Sequence, residues 1–220
     1  MEFVQELENE GIQITTINIG GGLSSSYTEV EEPEEFSFAN YRRVLESRVP
    51  QLFSGKYKIV TEFGRSLLLK AGTTLSRVEY VKQWIPTQIP IALVHVGKNQ
   101  FYTEVYWPNV FKHRFDIADS EGKLRNGPKT MFNIAGPLCF QGDYLAKNVQ
   151  LAEDTKAGDF MIMHETGAYT MSMYSKFNSI IPSPVYGFSL KSGRIWCFKE
   201  RETLEECTAF QGSQHCRFIS

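Results

Sequence analysis

The sequence has no apolar run approaching the roughly 20 residues that a membrane-spanning helix needs. It is also poor in cysteine, with four thiols (Cys139, Cys197, Cys207 and Cys216) in 220 residues, too few for a disulfide framework in a chain this long. No two cysteines stand at C-x-x-C spacing and the four histidines are scattered, so no zinc site is expected and the thiols read as free. Neither sign of charge is in excess. A formal net charge of −2 offers no electrostatic case for nucleic acid or an anionic membrane as a partner. The opening MEFVQELENEG is acidic and amphipathic, unlike the basic and then apolar start of a secretory leader, so a reducing, cytoplasmic setting is expected. Internal repeats and low-complexity tracts are missing too. What remains is ordinary globular composition, 42% apolar and 22% charged, sufficient for a sizeable core.

Two textures divide the chain. In EFVQELENEG the apolar Phe3, Val4 and Leu7 share a helical face and Gly11 supplies a stop. IQITTINI then reads as a strand that ends in Gly20-Gly21-Gly22, followed by the acidic loop SSSYTEVEEPEEF. From Ser37 onward Phe38, Tyr41, Leu45, Val49 and Leu52 recur every three or four residues, which predicts a helix ending or kinking near Pro50. KYKIVTEFGRSLL is a second strand running into a glycine turn. Helix, strand, helix, strand is the rhythm of a parallel α/β barrel, but such a barrel has about eight strands and only two are legible here.

After about Thr74 the runs become short and rich in Val, Ile, Tyr, Phe and Trp: SRVEYVKQW, IPIALVHVG, QFYTEVYW, TMFNIAG, DFMIMHE, SPVYGFSL and RIWCFKE. Turn residues separate them, as in SEGKLRNG, KAGD and KSGR, and this spacing predicts an all-β barrel or sandwich. The tail ECTAFQGSQHCRFIS shows no pattern. The expected architecture is therefore α+β. Residues 1–75 form a partial TIM-type barrel (its last two βα units), 76–210 a β-barrel domain, and 211–220 a disordered tail.

Four segments can carry chemistry. Consecutive glycines after a strand let bare N–H groups close on an anion, although a plain tight turn uses glycine equally well. TEFGRS repeats the device on the next strand. There Glu62 sits at the strand's C-terminal end, Gly64 frees the backbone, and Arg65 can grip an anion through two donors. AGPLCFQGD brings Cys139 into a turn between apolar runs. HETGAYTMSMYSKFN sets Tyr169 among small residues, where a tyrosine is more often packed than ligating.

In this order the four segments resemble the pyridoxal-phosphate-dependent decarboxylases of the diaminopimelate, ornithine and arginine type. INIGGGL is similar to that family's glycine loop, EFGR to its Glu-Pro-Gly-Arg, GPLCFQGD to its Gly-Pro-x-Cys segment and GAYTMSMYSKFN to its Gly-Ala-Tyr segment. The resemblance runs from Ile12 to about Tyr186. It implies that pyridoxal 5′-phosphate is the cofactor of the full-length parent, with Gly21, Gly22, Gly64 and Arg65 in its phosphate cup and Tyr169 reaching the phosphate. It also implies that Glu62 pairs with the pyridine nitrogen. Cys139 resembles the cysteine that a second subunit lends to the site to protonate the carbon after CO2 loss, which implies a homodimer.

The resemblance is incomplete. The family's Schiff-base lysine lies early in the barrel and has no counterpart here; Lys56, Lys58 and Lys70 read as solvated ends flanking the second strand. The chain is accordingly expected to be the C-terminal portion of such a decarboxylase, inactive alone. The alternative is a non-catalytic partner that forms a heterodimer with a full-length paralogue through the dimer face. Phe63 stands where proline is usual. Thr103 aligns with the arginine that holds the distal carboxylate of diaminopimelate, and Phe140 with the acidic residue that holds its distal amine. Losing both contacts leaves a doubly charged substrate unpaired, so the expected substrate is not meso-diaminopimelate itself but a different or less polar small amino acid.

Overall fold

The computed structural model describes residues 1–107 and 110–212. The chain opens with α1 (Glu2–Asn9), closed at Gly11, whose φ of +84° is the left-handed stop that glycine provides. No residue of α1 is buried. β1 (Thr16–Asn18) and β2 (Lys58–Val60) form a two-stranded parallel sheet with Ile17 opposite Ile59. Between them runs α2 (Phe38–Arg48), capped by the Ser37 side chain accepting the Asn40 N–H. It ends just before Pro50, which starts a 3-10 turn whose Leu52 is buried. α3 (Arg65–Leu68) is a single turn leading toward the second half.

That half is built on one six-stranded sheet in the order β5-β8-β3-β4-β6-β7. Its strands are β3 (Thr74–Lys82), β4 (Ile91–Val94), β5 (Phe115–Ala118), β6 (Lys129–Ala135), β7 (Tyr144–Ala152) and β8 (Phe160–Met163). All ladders are antiparallel except β4 with β6. The edge strands β5 and β7 come back toward each other, so the sheet is nearly closed. Inward side chains of the strands fill it, joined by Phe101 from the connection after β4: Val78, Val94, Phe101, Ile117, Phe132, Ile134, Leu151, Met161 and Met163 form one core. A hairpin of β9 (Val185–Phe188) and β10 (Ile195–Lys199) follows, turning at Gly193 with φ +65°.

Three expectations need correction. FYTEVYW is not a strand: α4 (Thr103–Tyr106) occupies it. Its aromatics obey helical spacing, with the Tyr102 and Tyr106 rings 5.1 Å apart at i, i+4, a local pairing that β-propensity alone does not detect. YLAKNVQLA, in which no strand was read, is β7, the longest partner of β6, bent where Asn148 takes a φ of 56°. Part of the patternless tail is α5 (Leu204–Phe210), started by a capping box in which Thr203 accepts the Glu206 N–H and Glu206 accepts the Thr203 N–H. Beyond Gly212 the remainder of the expected tail, including Cys216, lies outside the described residues.

Candidate functional site

Parallel pairing carries β1 and β2 past their ends. The Ile19 N–H donates to the Val60 carbonyl at 3.0 Å and the Glu62 N–H to the Gly20 carbonyl at 2.8 Å, so the two following loops run side by side. Gly20 and Gly22 adopt φ of +71° and +92°, the left-handed region where a side chain is disfavoured. At Gly21 the reason for glycine is contact: a Cβ there would lie 2.6 Å from the Glu62 carbonyl oxygen. Asn18 ties the loops together. Its Oδ1 accepts the Gly20 N–H at 2.8 Å, which fixes the amide's orientation, and its Nδ2 donates to Glu62 Oε1 at 2.7 Å. Phe63 seats the second loop on α2, its ring edge-on to Phe38 at 5.3 Å and to Tyr41 at 5.2 Å.

Arg65, the first residue of α3, has its guanidinium carbon 4.3 Å from the Phe111 ring centre, 4.4 Å from that of Tyr169 and 5.4 Å from that of Tyr27. Its Nη1 donates to the Tyr27 hydroxyl. Among the described residues it makes no ion pair with a carboxylate. The other two part-buried arginines behave differently. Arg114 is hydrogen-bonded to Glu165 through Nε and Nη2, and Arg125 grips Asp159 with two bonds of 2.9 Å. A partly buried cation left unneutralised beside glycine turns is the electrostatic signature of an anion site.

Tyr169 reaches this cluster from the far end of the chain. Its φ is +58°, and its hydroxyl lies 3.5 Å from where a Cβ on Gly64 would stand. Two glycines hold the segment against α3: a Cβ on Gly167 would fall 1.8 Å from the Leu68 carbonyl oxygen, and one on Gly72 would fall 2.4 Å from the Gly167 Cα. The Gly167 N–H donates to Leu69 and the Thr166 N–H to Gly72. Buried Tyr27, Leu69 and Ala168, with Phe111 packed against them, form a second small core behind the turn.

Gly21, Gly22, Glu62, Gly64, Arg65 and Tyr169 thus gather in one cluster. Cys139 does not join them. It is exposed, its N–H donates to Asn178 at 2.8 Å, and among the described residues no hydrogen bond or ring contact links it to the cluster. Its loop is braced by Asp143, whose carboxylate accepts the Lys98 and Leu138 N–H groups while burial raises its pKa above the usual range. Thr103 is fully buried and lines no accessible surface, whereas Phe140 is exposed, edge-on to Phe177 at 6.3 Å. Lys56 and Lys70 are exposed, as expected of solvated ends, and each has a surface partner, Lys56 pairing with Glu8 at 2.6 Å and Lys70 donating to the Glu29 carbonyl. Asn18, Tyr27 and Phe111 were not singled out from the sequence. Asn18 ends a strand as many polar residues do, and Tyr27 sits in a loop that reads only as acidic and polar.

The comparison that decides the family is a match of residues 17–167 to the model of the pyridoxal-dependent decarboxylase C-terminal sheet domain. The chain belongs to that family. The diaminopimelate decarboxylase of Staphylococcus aureus is 30% identical over 206 residues, covering 91% of this chain and 46% of that protein. A solved diaminopimelate decarboxylase superposes with a TM-score of 0.80 at 27% identity over 97% of this chain and 51% of that one. The enzyme of M. jannaschii, solved in complex with L-lysine, gives 0.74 at 26% identity over 96% of this chain and 46% of that one. The chain spans about half the length of the curated relatives it matches. The nearly closed six-stranded sheet is the sheet domain for which this decarboxylase family is described. No helix among the described residues is long and apolar enough to cross a membrane.

Proposed function

We propose that the chain forms the C-terminal portion of a cytoplasmic, pyridoxal-phosphate-dependent amino-acid decarboxylase of the diaminopimelate decarboxylase type. In this reading residues 1–75 are the last two βα units of its α/β barrel, 76–210 its β domain and 211–220 a tail. The observation that carries it is Arg65, a part-buried guanidinium with no carboxylate partner among the described residues, next to glycine turns that front open space: side chains at Gly20 or Gly22 would meet nothing within 4 Å. A phosphate monoester and a ring nitrogen fit what surrounds it. Gly21, Gly22, Gly64, Arg65 and Tyr169 would hold the phosphate of pyridoxal 5′-phosphate, and Glu62 the pyridine nitrogen. When bound, the cofactor supplies an electron sink for the pair left as CO2 departs.

The chain's own residues bind and orient. Asn18 holds one oxygen of Glu62, leaving the other for the ring nitrogen. Cys139, exposed and outside the cup, suits a thiol lent to the site of a second subunit, where its Sγ delivers a proton to the carbon that lost CO2. That supports a homodimer, or a heterodimer with a full-length paralogue. Buried Thr103 and exposed Phe140 offer no charge to a distal carboxylate or amine, which favours a substrate less polar at its far end than meso-diaminopimelate. None of the lysines here corresponds to the family's Schiff-base lysine, so these 220 residues alone hold the cofactor without a covalent link and do not decarboxylate.

The test is a titration of the chain with pyridoxal 5′-phosphate and with pyridoxal, followed by cofactor absorbance. The phosphate form is expected to bind tighter by on the order of ten-fold, an advantage that Arg65→Met removes. Equal affinity for the two forms sinks the reading.

A further inference from the structure

We propose that Tyr27 and Phe111 are positioning residues that fix Arg65 as an anion grip without neutralising it. The inference rests on the phosphate cup proposed above and names what makes that cup work. A free arginine stem samples many rotamers, and a guanidinium must be held still to present its donors in one plane. Elsewhere in this chain that is done with carboxylates: Glu165 holds Arg114, and Asp159 holds Arg125. Each such pair cancels the charge and occupies the donors an anion would need.

Around Arg65 the chain uses rings instead. An aromatic face attracts a cation but carries no net charge and takes up none of the in-plane N–H groups. Phe111 stands 4.3 Å and Tyr27 5.4 Å from the guanidinium carbon, and the two rings brace one another at 5.3 Å and 42°. Arg65 spends Nη1 on the Tyr27 hydroxyl, and among the described residues its Nε and Nη2 make no hydrogen bond and remain for a ligand. Tyr27 is itself immobilised: it is 9% exposed and packs with Leu69 and Ala168 in the small core behind the turn. One residue follows the first glycine turn and the other precedes β5. The grip therefore depends on both halves of the chain being docked together.

The experiment uses the whole chain, the variants Phe111→Leu, Phe111→Trp and Tyr27→Phe, and two probes, pyridoxal 5′-phosphate and pyridoxal. Phe111→Leu keeps apolar bulk and removes the ring face, and is expected to weaken the phosphate probe by about ten-fold while leaving pyridoxal unchanged. Phe111→Trp is expected to restore the affinity, and Tyr27→Phe, which keeps the ring and its packing, to weaken it by about three-fold. The Arg65 side-chain NMR resonances give a ligand-free readout: ring-current shifts present in the wild type should collapse in Phe111→Leu and return in Phe111→Trp. Should Phe111→Leu fail to fold, Phe111→Trp and Tyr27→Phe still carry the comparison. Wild-type phosphate affinity in Phe111→Leu, or in Tyr27→Phe where the leucine variant does not fold, overturns the inference. So does equal weakening of both probes, the mark of a merely structural role. If the wild type itself does not prefer the phosphate probe, the cup falls and this inference with it. An intact cup with unshifted Arg65 resonances removes only the cage.

Discussion

The hydroxyl of Tyr169 lies 3.5 Å from the point where a side chain on Gly64 would begin, and this closeness is set at Gly167 rather than at Gly64. A methyl group at Gly64 would make ordinary contact with the phenol at a backbone φ of −114°. At Gly167 it would fall 1.8 Å from a backbone carbonyl oxygen that cannot yield without moving α3. Gly64→Ala is therefore expected to unfold in urea within about 0.5 kcal/mol of the wild type. Gly167→Ala should lose about 3 kcal/mol, the upper end for overpacking. Equal urea midpoints for the two variants would show that the Gly167 clamp is not what seats Tyr169.

A second prediction concerns the clasp between the two loops. Asn18→Asp sets a carboxylate at hydrogen-bond distance from Glu62, and two like charges so placed raise the pKa of one of them. An acid whose folded pKa lies above its unfolded value stabilises the fold below the unfolded value, and that contribution is lost as pH rises through the folded one. The variant should therefore match the wild type near pH 4 and fall below it at pH 8. Solvent around Glu62 limits the gap to about 1 kcal/mol. Urea midpoints at the two pH values measure it, and a gap that widens toward acid would contradict the geometry.

How much of this was readable from the chain depends on the range of each interaction. The glycine turns, Glu62, Arg65 and Tyr169 stand in short motifs whose order survives in one dimension, and α2 showed its helical period from Phe38 to Leu52. Strands β3, β4, β6 and β8 showed as short runs rich in Val, Ile and aromatic residues; β4 and β8 alternate cleanly, whereas bulges interrupt β3 and β6. β7 was missed because Lys147 and Asn148 interrupt its alternation at the bend, and α4 because aromatic residues favour strands unless their i, i+4 contacts are seen. The cage around Arg65 was invisible for a different reason. Tyr27, Arg65, Phe111 and Tyr169 are brought together by the docking of a loop, a helical turn and two stretches flanking β5 and β8, and nothing local to any of them announces the others.

His113 makes the stability pH-dependent. Its ring is buried, its Nδ1 is 2.9 Å from the His164 carbonyl oxygen, and its buried Nε2 finds no partner among the described residues. That contact requires the proton on Nδ1, so the neutral ring leaves Nε2 unprotonated. Burial, above all, holds its pKa below the ordinary 6.5. Under acid the unfolded chain takes up a proton that the folded chain refuses. Stability is then complete above pH 6.5 and falls as pH drops from there toward the folded value, by at most about 1.4 kcal/mol per pH unit for one proton. His113→Phe, which keeps an edge for Tyr27 and Phe101, should flatten that part of the profile. Identical wild-type and variant slopes between pH 7.5 and 5.5 would assign the acid sensitivity elsewhere.

The ion pairs of Arg125 separate a buried partner from an exposed one on the same cation. Asp159 is 1% exposed, takes both fork bonds at 2.9 Å, and also accepts the Lys156 N–H at 2.9 Å. Its backbone carbonyl accepts the Val78 N–H, so the pair sits where β3 meets the start of β8. Asp154 meets the same guanidinium, but its side chain is 57% exposed. Removing Asp159 leaves Arg125 only the solvent-screened Asp154 and frees the Lys156 N–H, so Asp159→Ala should lose clearly more stability than Asp154→Ala. Asp154→Ala should lose less than about 1 kcal/mol, because water already screens that contact. Urea unfolding of both variants decides the matter: comparable losses would mean that Arg125 draws its stability from net charge near β8 rather than from the buried fork.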